Sequence, residues 1–251
     1  MLRKQKSEKG KIKYGIDAPL VPITCISVGI IVLGFWFPSH GYLFAWITFI
    51  YGLSMIIGGI IFLHTSLRGK FLVWNKIIEC SNISKNSQIL DLGCGHGAVL
   101  IKFAQKIDDS GKAIGVDLWR NVDQSNNSSA ATEKNLKLAN VDQRTDLITA
   151  DMAELPLKDA SFDFVVSSMA FHNIKPRQQR EKALCEACRV LKNGGKLIIV
   201  DTGNNFKEYR KTLEEQKLIH IKLTAAGFNG WWTGPWMSTS VIQAEKDKSI
   251  N

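Results

Sequence analysis

Hydrophobic and polar positions divide this chain into two unequal parts. Residues 18–67 contain no Asp, Glu, Lys or Arg, whereas charged residues are frequent on either side. Two apolar runs, 20–37 and 42–63, fill that stretch and are separated by Pro38-Ser39-His40-Gly41. As α-helices these runs would extend roughly 27 and 33 Å, close to the ~30 Å hydrocarbon core of a bilayer. The pattern predicts a hairpin of two transmembrane helices, with Trp36 and Trp46 near the turn, at one membrane–water interface.

From about residue 88 onward, short β-rich runs alternate with helical stretches. The predicted strands are 88–92, 112–117, 146–150, 162–168, 196–201, 218–223 and 239–244. The predicted helices are 98–106, 129–139, 178–191 and 206–217, and 71–80 is also expected to be helical. Lys192-Asn193-Gly194-Gly195 is a stop signal after the helix at 178–191. This alternation predicts an α/β fold, in which a parallel sheet carries helices on both faces.

Charge gives the hairpin an orientation within a chain whose net charge is +9. Positive residues lie before and after the hairpin and are missing from its turn: Arg3, Lys4, Lys6, Lys9, Lys11, Lys13, Arg68, Lys70 and Lys76. Because positive loops stay on the cytoplasmic side, both termini and the α/β domain are expected to be cytoplasmic. The sequence thus predicts a basic tail (1–17), a two-helix transmembrane hairpin (18–67) and an α/β domain (68–251), with the lipid bilayer as a partner. Five scattered cysteines exclude a disulfide scaffold.

A glycine-rich turn after the first strand is the strongest chemical signal. Ile89-Leu90-Asp91-Leu92 leads into Gly93-Cys94-Gly95-His96-Gly97, which opens a predicted helix. Glycines permit a sharp turn and a close approach by a ligand, and the helix N-terminus adds unpaired N–H groups. Asp117, twenty residues after Gly97, ends the second strand, where a carboxylate can accept both hydroxyls of a ribose. The same spacing also fits a dinucleotide fingerprint, so an NAD-dependent oxidoreductase stays open at this point.

Three features favour a different cofactor. Asp91 precedes the first glycine by two residues, which suits a positively charged amino group and repels a pyrophosphate. Asp151 and Met152 follow the third strand and place an acid and an apolar side chain where an adenine edge and face could lie. The run from Phe162 to Ser168 then follows Asp151 at close spacing.

Residues 88–201 resemble the class I S-adenosylmethionine-dependent methyltransferases, especially the small-molecule and quinone-methylating type. Five motifs in order carry the resemblance: 91–97 (DLGCGHG), 115–117 (GVD), 151–156 (DMAELP), 161–165 (SFDFV) and 189–197 (RVLKNGGKL). The resemblance implies a Rossmann-like seven-stranded sheet of order 3-2-1-4-5-7-6, with the last strand antiparallel. In this chain the two transmembrane helices predicted from hydropathy precede that sheet.

The resemblance also implies a role for each matching position, with S-adenosylmethionine as cofactor. Asp91 and the backbone of Gly93, Gly95 and Gly97 would hold the methionine part, and Ser168 would border it. Asp117 would hold the ribose hydroxyls. Leu118 would flank the adenine, and Asp151 with Met152 would bind its edge.

Methyl transfer asks little of the protein beyond positioning and exclusion of water. A base is needed only where the acceptor loses a proton, and His172, which follows the fourth strand, is the candidate catalytic residue. A loop histidine that shapes the pocket is the equal alternative. We expect no metal site, because Cys185-x-x-Cys188 lies inside a predicted helix without a second pair at zinc spacing.

The segment Trp231-Trp232-Thr233-Gly234-Pro235-Trp236-Met237 lies between the last two strands. It could form an aromatic wall around an apolar acceptor, insert at the bilayer interface, or cover the core of the last hairpin. With the hairpin, it favours a lipid, quinone or isoprenoid acceptor at the cytoplasmic face.

Several alternatives remain at this stage. The acceptor could be a soluble small molecule, with the hairpin as an anchor only, and a sensor that binds the cofactor without transfer is the non-enzymatic alternative. Nucleic acid is disfavoured because Ser167-Ser168-Met169-Ala170 stands where amino-methylating DNA and RNA enzymes carry Asp/Asn-Pro-Pro-aromatic. The sequence leaves the accepting atom and the oligomeric state open.

Overall fold

The computed structural model describes residues 10–39, 42, 45–120 and 127–249. Most of the predicted basic tail, and His40-Gly41 in the predicted turn, lie outside the described residues. Helices α1 to α7 span Leu20–Ser39, Ala45–His64, Lys70–Glu79, Ala98–Ala104, Ser129–Leu138, Arg177–Val190 and Phe206–Glu215. Strands β1 to β7 span Gln88–Leu92, Lys112–Asp117, Thr145–Thr149, Phe162–Ser168, Leu191–Thr202, Leu218–Ala225 and Thr239–Lys246.

The seven strands form one sheet of order β3-β2-β1-β4-β5-β7-β6, which confirms the expected order. Strands β1 to β5 are parallel, and β7 runs antiparallel to both β5 and β6. The prediction that β5 begins at Lys196 is wrong, because the strand starts at Leu191, directly after α6. Leu191 pairs with Phe162, and the ladder is irregular between Phe162 and Phe164. Gly194 and Gly195, which were predicted to separate helix from strand, therefore lie inside an irregular strand.

Two hydrophobic clusters cover the two faces of the sheet. Leu90 and Val165 belong to a cluster with side chains of α6 and α7, whereas Ile89 and Phe164 belong to a cluster with side chains of α3 and α4. Successive residues of a strand point to opposite faces, so each central strand is buried on both sides. Asp91 follows Leu90 and therefore faces the α3–α4 side. The continuous apolar runs of β1 and β4 reflect this burial.

The helices α1 and α2 pack against each other as an antiparallel pair through glycines. A Cβ on Gly29 would stand 2.7 Å from the carbonyl oxygen of Gly52, and a Cβ on Gly59 would stand 3.1 Å from that of Pro22. Small residues of this kind let two helix backbones approach closely. At the other end of the pair, the Trp36 and Trp46 rings lie 5.8 Å apart. The predicted aromatic cluster near the turn is therefore present.

The end of helix α1 and the number of possible membrane spans differ from the prediction. Helix α1 continues through Pro38 to Ser39, two residues beyond the predicted end at residue 37. By length and hydropathy, one helix among the described residues, 45–79, could cross a membrane, and the apolar helix Leu20–Trp36 falls short of that test. The transmembrane hairpin predicted from the sequence, with its two spans, therefore stays a prediction.

The second apolar helix does not end at residue 63. A π-helical turn, Thr65–Gly69, follows α2 and passes directly into α3. The turn lies against the connection between β6 and β7: Thr65 Oγ1 donates a hydrogen bond to the Trp231 carbonyl oxygen. A Cβ on Gly69 would overlap the backbone of Asn229, so only glycine fits there. The chain therefore passes as continuous helix from the apolar hairpin into the α/β domain.

The connection between β6 and β7, residues 226–238, is here called the tryptophan loop. Trp232 is 3% exposed, its ring lies 5.0 Å from that of Phe62 in α2, and its Nε1 donates to Thr239 Oγ1 at 3.0 Å. Trp236, by contrast, is 77% exposed. The prediction that these tryptophans cover the core therefore describes Trp232 alone, whose ring attaches the last hairpin to α2.

Candidate active site

The glycine turn after β1 adopts the left-handed backbone that its composition predicts. Gly93, Gly95 and Gly97 have φ values of 71°, 48° and 79°. A Cβ on Gly93 would also overlap the methyl group of Ala170, which follows β4. Strained backbone and lack of space together require glycine at Gly93. The turn leaves an open, backbone-lined surface at the carboxyl end of the sheet.

Asp117 at the end of β2 holds this turn in place. Its carboxylate accepts hydrogen bonds from the Gly95 amide at 2.8 Å and the Trp119 amide at 2.6 Å. Asn127 Nδ2 adds a longer bond of 3.3 Å. The remaining lone pairs can accept hydroxyl groups from a ligand that lies on the turn.

Asp91 is the most unusual charged group of the site. It is 1% exposed, and no described residue, the nearby Leu100 amide included, meets the distance and angle limits of a hydrogen bond to either carboxylate oxygen. Burial raises the pKa of Asp91 to about 7, the charge of Asp117 adds to the rise, and the Leu100 amide opposes it. A buried carboxylate without a partner is costly unless a ligand supplies a cation or a donor. The methionine part of S-adenosylmethionine carries an ammonium group, so this residue fits that cofactor.

A cavity of about 390 Å³ opens above the carboxyl ends of the central strands. Its walls include seven of the residues predicted from the sequence: Gly93, Gly95, Asp117, Leu118, Asp151, Met152 and Ser168. Asp91 lines a smaller neighbouring cavity of about 60 Å³, which shares Gly93, Gly95 and Ser168 with the larger one. Gly97, the residue directly before α4, lines neither cavity. The structure thus brings together nearly all the predicted binding residues.

On the other side of the larger cavity are residues that the sequence reading missed. The residues after β4 that line this cavity are Met169, Ala170, Asn173, Ile174, Lys175, Pro176 and Gln179. None of them belongs to the five motifs that carry the resemblance, and the sequence singles out Met169 and Ala170 only as a departure from the motif of nucleic-acid methyltransferases. Their position after the fourth strand is the signal that could have indicated them.

Three further residues of the two cavities come from outside the α/β core. Trp74 of α3, only 1% exposed, donates from Nε1 to Ser168 Oγ at 2.9 Å. Asp17 lines both cavities, and Lys70 lines the smaller one. No pattern in the sequence singles them out, because the three belong to segments that the fold alone brings to the site.

His172 lies beside the larger cavity and is not part of its wall. Its Nδ1 is 2.5 Å from Asp201 Oδ1, and its backbone amide donates to Asp201 Oδ2 at 2.9 Å. Tyr209 donates to the same carboxylate at 3.0 Å, and burial together with the Asp201 charge raises the pKa of Tyr209. Asp201, which is fully buried, accepts from several donors at once and therefore orients the imidazole ring.

Comparison with known proteins agrees with this geometry. Residues 90–199 match the family model described as a methyltransferase domain. The 2-phytyl-1,4-beta-naphthoquinone methyltransferase of Arabidopsis thaliana, a chloroplastic protein, is 25% identical over 70% of this chain and 70% of its own length. The ubiquinone/menaquinone biosynthesis C-methyltransferase of Pectobacterium atrosepticum is 28% identical over 59% of this chain, which spans 56% of that enzyme. This chain is a class I S-adenosylmethionine-dependent methyltransferase.

The fold of the methyltransferase is also found in solved structures. A crystal structure of an S-adenosylmethionine-dependent methyltransferase from Aquifex aeolicus superimposes with a TM-score of 0.55 at 17% identity. The match covers 68% of this chain and 88% of the Aquifex protein. The match to the methyltransferase family model and the methyltransferase relatives set aside the oxidoreductase alternative, which the glycine spacing had left open.

Proposed function

We propose that this methyltransferase is anchored in a membrane by α1 and α2 and methylates an apolar, membrane-resident acceptor of the quinone type at the cytoplasmic face. The observation that carries the proposal is the position of the larger cavity. Asp17, just before α1, lies in its wall, and α3, which continues the second apolar helix, bonds Ser168 of that wall through Trp74. A substrate cavity so close to the ends of an apolar hairpin suits an acceptor that stays in the bilayer.

The outer surface of the helix pair supports the anchor. Large apolar side chains on both helices are exposed, among them Ile30 at 59%, Phe35 at 72%, Ile47 at 62% and Ile50 at 64%. Helix α2, with 20 residues, extends roughly 30 Å, which matches the bilayer core. Large apolar side chains exposed along two neighbouring helices are typical of a membrane or protein interface and not of a monomer in water. The exposed Trp236 would lie near the headgroups beside α2.

The geometry of the two cavities supports a binding role for each predicted residue. Asp91 would pair with the ammonium group of the methionine part, and Asp117 would hold the ribose. Leu118 and Met152 would flank the adenine, with Asp151 near its edge, and Ser168 would border the reacting end. When bound, S-adenosylmethionine supplies a methyl group on a positively charged sulfur. The protein contributes orientation and a wall that excludes water.

The acceptor would enter the side of the cavity formed by Met169, Ala170 and Ile174. Their apolar surface suits a ring with an isoprenoid tail, and the two quinone-pathway relatives are named for reactions on such compounds. Methylation of a ring carbon releases a proton. With Nδ1 bonded to Asp201, the Nε2 atom of His172 is the nitrogen that could take it, which makes His172 the proposed base.

A methyl-transfer assay tests the proposal. Membranes that contain the protein receive S-adenosylmethionine with a labelled methyl group, and products are divided between organic and aqueous phases. We expect label in the organic phase that disappears in Asp117→Ala. Asp146→Ala is the matched control, because Asp146 is an exposed acid on the neighbouring strand, paired with Lys112. Label in the aqueous phase alone would refute the membrane acceptor and reduce the hairpin to an anchor.

A further inference from the structure

The two ends of the apolar hairpin meet at the cofactor cavities. The Asp17 amide donates to Ser66 Oγ at 2.9 Å, and Ser66 Oγ donates to Asp17 Oδ2 at 2.8 Å. Lys70 Nζ donates to the same Asp17 oxygen at 2.7 Å. We call Asp17, Ser66 and Lys70 the clasp. It joins the segment before α1 to the π-helical turn that follows α2 and to the first residue of α3.

The segment before the clasp is also bound to the glycine turn. Asn135 of α5 accepts from the Lys13 amide at 3.2 Å, and its Nδ2 donates to the Lys13 carbonyl at 2.9 Å and to the His96 carbonyl at 3.0 Å. The Tyr14 ring lies 5.0 Å from that of Phe71. The segment before the clasp is therefore bound through Asn135 to the glycine turn and through Tyr14 to α3.

The clasp places charge in the smaller cavity, where Asp91 lies. The charged groups that line this cavity are Asp17, Lys70, Asp91 and Lys102. The side chain of Lys70 is only 13% exposed, whereas Lys102 donates to the exposed Asn75 at 2.6 Å. The amino-acid end of S-adenosylmethionine has both an ammonium and a carboxylate group. Asp91 is suited to the ammonium group. Lys70 is the buried cation of this cavity, and besides the hydrogen bond to Asp17 its ammonium group has two further N–H donors that could bind the carboxylate.

We propose that the clasp is part of the cofactor site: Lys70 pairs with the carboxylate of the amino-acid end, and Asp17 positions Lys70. This inference rests on the proposed site at Asp91. It makes the ends of the membrane hairpin a condition for cofactor binding. Asp17 is then a positioning residue, and Lys70 is a binding residue.

Binding of two nucleosides to the full chain in lipid nanodiscs tests the clasp. S-adenosylhomocysteine has the amino-acid end, and 5′-methylthioadenosine lacks it. Because a charge-assisted hydrogen bond is lost, Lys70→Met should lower the affinity for S-adenosylhomocysteine about tenfold or more and leave the affinity for methylthioadenosine unchanged. Lys70→Arg should retain most of the affinity for S-adenosylhomocysteine. Asp17→Asn should lower that affinity by less than Lys70→Met does. Lys76→Met, an exposed lysine of the same helix, is the matched control.

The outcomes separate the clasp from the rest of the proposal. Equal affinity of wild type and Lys70→Met for S-adenosylhomocysteine would overturn the clasp, and so would an equal loss for both nucleosides, since that indicates structural damage alone. A wild-type protein that binds S-adenosylhomocysteine through Lys70 but labels no membrane acceptor would refute the proposed acceptor and leave the clasp intact.

Discussion

Replacing Asp91 by asparagine should stabilise the methyltransferase without cofactor and at the same time weaken cofactor binding. Burial raises the pKa of Asp91 from 3.8 to about 7. A carboxyl group with a raised pKa binds its proton more tightly in the folded than in the unfolded state. Below about pH 4 the Asp91 carboxyl group is neutral and its titration does not lower the free energy of unfolding. Above that pH the loss of unfolding free energy grows until the pH passes about 7.

The size of the effect follows from that pKa. A tenfold change in proton affinity corresponds to ~1.4 kcal/mol, so the ionised carboxylate costs the ligand-free protein roughly 4 kcal/mol above pH 7. Asparagine removes the charge but leaves a buried amide, which costs roughly 1–3 kcal/mol if unpaired. The net gain for Asp91→Asn at pH 8 should be about 1–3 kcal/mol, or roughly 2–10 °C in Tm. Near pH 5 the gain should be mostly lost.

Thermal unfolding of both proteins in nanodiscs at pH 5 and pH 8 measures the gain. Titration calorimetry with S-adenosylhomocysteine measures the loss of cofactor affinity. We expect this loss because the neutral amide of asparagine cannot pair with an ammonium group. Wild-type affinity should also rise from pH 5 to pH 8 as Asp91 ionises, whereas that of Asp91→Asn should change less. If Asp91→Asn is destabilised equally at both pH values, the carboxylate is already paired in the folded protein, and the assignment to the ammonium group fails.

Three further predictions concern the glycine turn, the tryptophan loop and the proposed base. Gly93→Ala should abolish detectable S-adenosylhomocysteine binding in calorimetry, because a Cβ there has neither space nor a favourable backbone. Trp232→Ala should destabilise the protein by about 3–5 kcal/mol, measured by its Tm, because it removes a buried ring from Phe62. His172→Gln should lower kcat at least tenfold and leave S-adenosylhomocysteine affinity unchanged; an unchanged kcat would favour the pocket-shaping alternative.

Controls for these variants come from the same segments. Gly227 has a positive φ but open space around its missing Cβ, so Gly227→Ala separates backbone strain from overlap. Trp236→Ala removes an exposed ring from the same loop and should leave the Tm within about 1 °C. A similar loss of stability in both tryptophan variants would contradict the packing of Trp232 on α2.

Local patterns in the sequence were sufficient for the sheet and the core of the site. Strands β1, β2 and β4 begin and end where their apolar runs predict, since their burial on both faces requires continuous hydrophobic residues. The glycine turn and Asp117 could be located because left-handed backbone and the end of a parallel strand leave clear local signals. The start of β5 was missed because its first residues pair across an irregular ladder, which no local pattern records.

Only the tertiary structure could join the hairpin to the site. Asp17 and Lys70 are 53 positions apart, and nothing in their immediate sequence marks either as part of a cofactor cavity. The buried face of Trp232 and the π-helical turn depend in the same way on contact between α2 and the tryptophan loop. The sequence by itself determined which chemistry this chain carries, because that chemistry is concentrated in short motifs. The fold decided which distant side chains complete it, because such contacts arise from packing between segments that carry no common periodic signal.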